Sequence, residues 1–100
     1  MSFTRWGYEF DGSYSNEGML EAKAGVYVIF CDPGNSWDIL DVGESEDVVD
    51  RINNHDRRDG WFLNCNGAIR YSATYISDPE ERRDLENRIR SQEKVICGER

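Results

Sequence analysis

The chain has 100 residues, 38% of them hydrophobic, with 20 acidic against 12 basic side chains and a formal net charge of −8. That length supports one compact domain and excludes two independent cores. The charge disfavours general attraction to nucleic acid or an anionic membrane, so any polyanion site has to be a local patch.

Three cysteines, Cys31, Cys65 and Cys97, lie far apart and form no Cys-x-x-Cys pair. They read as buried free thiols rather than zinc ligands. The opening Met1-Ser2-Phe3-Thr4-Arg5-Trp6 lacks the apolar run of a signal peptide, and no later stretch reaches membrane-spanning length. Together these features predict a cytoplasmic protein in a reducing compartment, with no membrane partner.

Residues 1–24 read as an extended leader packed on the body. Its aromatics Trp6, Tyr8, Phe10 and Tyr14 alternate with small residues around the turn signal Asp11-Gly12-Ser13. They serve either as packing anchors or as a base-stacking platform. Gly25 to Cys31 is β-branched and aromatic with almost no polar residue, which suits a central strand covered on both faces. Asp32-Pro33-Gly34-Asn35 marks a turn, and the apolar run from Trp37 to Val42 completes an antiparallel hairpin.

After Gly43 the period changes. Ser45 suits a cap, Glu46 and Asp47 suit the positive end of a helix, and Val48, Ile52 and His55 recur at helical spacing. This predicts a helix over about 46–55, with Arg51 and His55 projecting from one face. Trp61 to Gly67 reads as loop, and Ala68 to Ile76 alternates as a third strand. Ser77-Asp78-Pro79-Glu80 then opens a second helix, expected to run to about Lys94, with a sparse apolar stripe of Leu85, Ile89 and Ile96.

Gly25-Val26-Tyr27, followed by Asp41-Val42-Gly43-x-Ser45-x-Asp47-Val48-x-x-Arg51-x-x-x-His55, with Glu86 beyond, resembles the GIY-YIG nuclease domain. The resemblance covers roughly residues 25–97 and makes 25–100 the GIY-YIG-like domain. It implies an α+β fold of the broad α/β type, a small three-stranded antiparallel sheet flanked by helices. It also implies a nuclease that hydrolyses phosphodiesters with Mg2+ or Mn2+. The tyrosine matching Tyr27 would position or activate water, and the arginine matching Arg51 would neutralise charge developing on phosphate. The glutamate matching Glu86 would hold the metal through oxygen, and His55 would accept a proton.

The chain departs from the pattern at Asp41, where the family's second tyrosine is expected. A carboxylate supplies no phenolic hydroxyl and repels a phosphate when ionised. Asp41 is therefore either a second metal carboxylate beside Glu86 or the mark of a lost activity. An asparagine frequent in relatives after the glutamate helix has no clear counterpart here.

Other readings compete at each position. Tyr27 suits a strand core, Arg51 a surface ion pair, His55 simple packing, and Glu86 a ladder with Arg82 and Arg90 four residues to either side. Arg57, Arg58, Arg82, Arg83, Arg88 and Arg90 can form a local nucleic-acid patch if they converge. Two functions follow: a metal-dependent endonuclease, or an inactive module of the same fold that binds a protein or nucleic-acid partner.

Overall fold

The computed structural model describes residues 1–98. Five strands form one antiparallel sheet: β1 (Ser2–Arg5), β2 (Tyr8–Tyr14), β3 (Gly25–Asp32), β4 (Asp38–Ser45) and β5 (Ala68–Tyr75), in the order β1-β2-β5-β3-β4. Three α-helices accompany it: α1 (Val48–Asn53), α2 (Arg58–Leu63) and α3 (Pro79–Gln92). The fold is α+β, but the sheet has five strands rather than the expected three.

The two additional strands come from the stretch read as an extended leader. Trp6 and Gly7 take φ values of 55° and 83°, the double positive φ of the tight hairpin turn that matches strand twist. β1 and β2 therefore fold back on each other, and β2 pairs with β5 through Asp11↔Ala73 and Gly12↔Ser72. Interleaved glycines and aromatics obscured a period-two pattern in which Phe10 and Gly12 face inward. Phe10 is fully buried.

β3 is an interior strand, while the middle position of the five falls to β5. It is paired along its length with β4 and β5, and its residues 25–31 are all buried. That explains the nearly unbroken apolar run, since each face of β3 meets its own core. On one face Tyr27, Ile29 and Cys31 pack with Leu40, Val48, Ile52 and Trp61. On the other, Val26, Val28 and Phe30 pack with Phe10, Val42, Leu85 and Ile89. Helices α1 and α2 thus cover the first face, and α3 the second.

The first helix starts later than the sequence pattern predicts, because Asp47 rather than Ser45 caps it by accepting the Asp50 N–H at 3.1 Å, and it ends at Asn53, so that His55 lies beyond it. Part of the stretch expected as loop is α2, whose Trp61 enters the core. Asp78 caps α3 and Pro79 occupies its first turn. After α3 the chain runs beside β4: the Ile96 and Cys97 N–H groups donate to the Ile39 and Leu40 carbonyls at 3.0 and 2.7 Å.

The expectation of free thiols is corrected for two of the three cysteines. Cys31 on β3 and Cys65 after α2 form a disulfide, while Cys97 is free. Their 34-residue separation carries no pairing signal; the sheet and α2 bring them together. Among the described residues no helix is long and apolar enough to cross a membrane.

Because Phe10 sits in the α3-side core, Phe10→Ala should destabilise the whole domain by about 3–5 kcal/mol, read from the urea midpoint. A midpoint unchanged by the substitution would show that β1 and β2 are dispensable to the fold.

Candidate functional site

A bulge in the β3–β4 ladder creates the site. Ile29 pairs with Asp41 and Phe30 with Ile39, so Leu40 is the extra residue and both Leu40 and Asp41 turn toward the α1–α2 face. Leu40 joins the core there, whereas Asp41 brings a carboxylate to a position with no exposure to solvent.

Two arginines, a tryptophan and a backbone N–H donate to that carboxylate. Arg57 Nε donates to Oδ2 at 3.0 Å and Arg57 Nη2 to Oδ1 at 3.4 Å. Trp61 Nε1 donates to Oδ2 at 2.9 Å, Arg90 Nη2 to Oδ1 at 2.9 Å, and the Val42 N–H to Oδ1 at 2.9 Å. Charge-assisted bonds of this kind are what makes an ionised carboxylate tolerable in a dry interior. Arg90 also donates to the carbonyls of Val42 and Gly98, and its Nε lies 3.4 Å from Glu86 Oε2. Two guanidinium charges thus meet two carboxylates.

The final turn of backbone closes the cluster. Gly98 has φ +78°, and a Cβ there would lie 2.7 Å from Asp41 Oδ1 and 2.8 Å from Arg57 Nε. Only a residue without a side chain lets the backbone lie this close and accept from Arg90.

Tyr27 stands beside this network on β3, opposite Gly43 on β4. A side chain at 43 would occupy the space of the Tyr27 phenol, so the glycine is what allows the ring to lie across the strand. Burial pushes the Tyr27 hydroxyl pKa well above its ordinary value; Asp41 and Glu86 raise it further and Arg51 and Arg57 oppose. His55 meets Tyr27 edge-on, with centroids 5.9 Å apart at 84°, and lies tilted on Trp61 at 4.8 Å.

No family model, curated protein or solved structure matches the chain. The functional reading therefore rests on the geometry of these residues.

Of the five positions singled out in the sequence, Asp41, Arg51 and Glu86 lie within electrostatic reach of Tyr27, and His55 meets its ring. Their states differ from those expected of a reactive pocket. Tyr27 is 1% exposed and His55 5%. Arg51 lies farther out, its Nη2 3.5 Å from Asp56 Oδ1. Asp41 and Glu86 both direct oxygens at Arg90.

Sequence reasoning missed the roles of Arg57, Trp61 and Arg90. It grouped the arginines as a surface patch and placed Trp61 in a loop. Three of the four remaining arginines of that patch are engaged elsewhere: Arg58 binds Glu17 at 2.6 Å, Arg82 binds Glu44 at 2.8 Å, and Arg88 donates to the Trp6 carbonyl, while Arg83 is exposed. A hint did exist: Trp61 is four residues after Arg57, so both meet the same neighbour from one side of a helix.

The buried His55 has a defined state. Its Nδ1 accepts from the Arg57 backbone N–H at 3.0 Å, which assigns the neutral-ring proton to Nε2. Nε2 lies 3.8 Å from Asp41 Oδ2, too far for a hydrogen bond, and has no partner among the described residues. Desolvation lowers the His55 pKa from 6.5 to about 4, outweighing the opposing pull of Asp41; Arg51 and Arg57 lower it further. The Asp56 carboxylate 3.3 Å from Nδ1 therefore faces a neutral ring at physiological pH.

Two outcomes follow. Asp41→Asn should cost about 3–5 kcal/mol in urea unfolding, since it removes the counter-charge of Arg57 and leaves Arg90 to Glu86 alone; a loss below about 1 kcal/mol would mean that the charge is dispensable. His55 is the sole histidine, so its ring resonance can be followed by NMR without ambiguity and should titrate near pH 4. Its contribution to stability is complete above the unfolded value of 6.5 and declines as pH falls toward 4, because the unfolded chain then binds the extra proton. A midpoint at 6 or above would refute the buried neutral ring.

Proposed function

We propose that the chain is a GIY-YIG-like module that binds a partner and does not cleave phosphodiesters. The observation that carries this reading is Asp41: where the motif calls for a tyrosine, a fully buried carboxylate binds Arg57, Trp61 and Arg90. A group committed to internal charge balance is not available to a phosphate. Its neighbours are committed as well, Arg90 to Asp41 and the Gly98 carbonyl, and Glu86 to Arg90.

The donor set argues in the same direction. Mg2+ and Mn2+ require oxygen ligands with open positions for water and phosphate. The two carboxylates near Tyr27 are arranged around a guanidinium instead. Tyr27 is poorly suited to deprotonation because burial raises its pKa. With a net charge of −8 and most of the candidate arginine patch in internal pairs, a protein partner fits better than a nucleic acid.

The metal-dependent nuclease is the second reading. It draws on one observation, that Arg51, His55 and Glu86 all lie near Tyr27. It requires the 95–98 segment to leave and the Asp41 network to open. As to compartment, the Cys31–Cys65 disulfide favours an oxidising environment over the reducing cytoplasm expected from the cysteine pattern together with the lack of a signal-peptide or membrane-spanning run.

Branched, single-stranded and duplex DNA and RNA, incubated with Mg2+ or Mn2+, separate the two readings. Wild type and Glu86→Ala should give the same background, with folding of both checked by circular dichroism. Cleavage by wild type that disappears in Glu86→Ala would establish the nuclease and end the binding-only reading.

A further inference from the structure

The sheet has two edges, and the chain covers one of them itself. Residues 95–97 lie along β4 and take the Ile39 and Leu40 carbonyls. Among the described residues nothing pairs with the outer edge of β1, which neighbours β2 alone. The Gly12 N–H donates to the Met1 carbonyl at 3.0 Å. Hydrogen-bonded pairs alternate along an antiparallel ladder, so Phe3 and Arg5 direct their backbone groups at β2. The N–H and C=O of Ser2 and Thr4 consequently point outward.

Beside this edge lies a cavity of about 330 Å³ whose walls include Phe3, Arg5, Ser13, Phe30 and Trp37. None of its lining residues comes from α3, which covers the same face elsewhere. Phe3 meets Phe30 edge-on at 6.0 Å, and Trp37 tilts over Phe30 at 5.6 Å while remaining 45% exposed. An exposed indole on an aromatic wall is an anchor site for one more ring, which would sit at the same 4.5–7 Å spacing.

The charges around the edge select the occupant. Arg5 is already paired with Glu93 at 3.4 Å, Glu9 accepts from the Ser2 hydroxyl at 3.1 Å, and exposed Asp38 follows Trp37. This local acidic excess matches the overall charge of −8. It repels a second copy of the chain and attracts a cationic partner.

Resting on the binding-module reading, we propose that β1 receives an extended segment of another protein as a sixth strand. One aromatic side chain of that segment enters the Phe3–Phe30–Trp37 cavity, and basic residues flank it. Backbone bonds to Ser2 and Thr4 supply the pairing, and the cavity supplies selectivity.

The test uses the full ¹⁵N-labelled chain and the peptide acetyl-Lys-Thr-Thr-Phe-Thr-Thr-Lys-amide. Saturable shifts are expected at the Ser2 and Thr4 amides and at the Trp37 indole N–H. Binding should weaken by about tenfold or more, the equivalent of 1.4 kcal/mol, with Trp37→Ala or with alanine replacing the peptide phenylalanine. Thr4→Pro should abolish it by deleting an outward N–H. Since Trp37 is exposed, Trp37→Ala keeps the test valid if Thr4→Pro fails to fold. Replacing the peptide lysines by glutamates should weaken binding at low salt.

Absence of saturable shifts at millimolar peptide would overturn the proposal. So would shifts at these amides on concentrating the chain alone, which would assign the edge to a second copy. Peptide shifts confined to another surface would overturn this site and leave the module reading standing. That reading falls separately, to Glu86-dependent cleavage.

Discussion

The buried Asp41 carboxylate is the constraint around which one end of the molecule is organised. An ionised carboxylate without contact with water carries a desolvation cost of several kcal/mol, recovered only when good donors surround it. Here the donors come from four places in the chain: Val42 on β4, Arg57 before α2, Trp61 within α2, and Arg90 on α3. A shift of any of these segments removes a donor from the buried carboxylate. The network therefore fixes how α2 and α3 meet the edge of β4, and with them the closing residues up to Gly98.

The same constraint sets the state of the residues around Tyr27. Tyr27 and His55 are buried together, with Glu86 at the border of this interior and Arg51 outside it. His55 is neutral and lies against Trp61, Tyr27 is shielded from water, and Glu86 balances Arg90. Chemistry on a phosphodiester needs an open position where charge can develop beside fixed donors. At this end of the sheet the fixed donors already hold a charge, that of Asp41. The edge of β1 and the aromatic cavity beside it lie outside this network.

Much of the site was legible because spacing along a hairpin and a helix is local. Tyr27 and Gly43 pair across one turn, and the motif from Gly43 to His55 is read within a single stretch of chain. Arg57 and Arg90 were visible as charges but not as partners of Asp41. Separations of 16 and 49 residues leave no periodic trace, and an arginine looks alike in sequence whether it faces water or a buried carboxylate. The bulge at Leu40, which turns Asp41 inward, is equally silent, since a single added residue in an apolar run alters no composition.

The sequence by itself determined the elements whose causes are local: the doubly buried β3, the β3–β4 hairpin, the Asp78–Pro79 start of α3, and the α+β class. It also exposed Asp41 as the odd residue of its motif. Tertiary structure alone decided that residues 2–14 complete a five-stranded sheet, that Cys31 bonds Cys65, and that Asp41 is locked between two arginines. Each of those outcomes depends on contacts between distant segments. Their energy comes from burial and charge pairing, which exist only once the chain has folded.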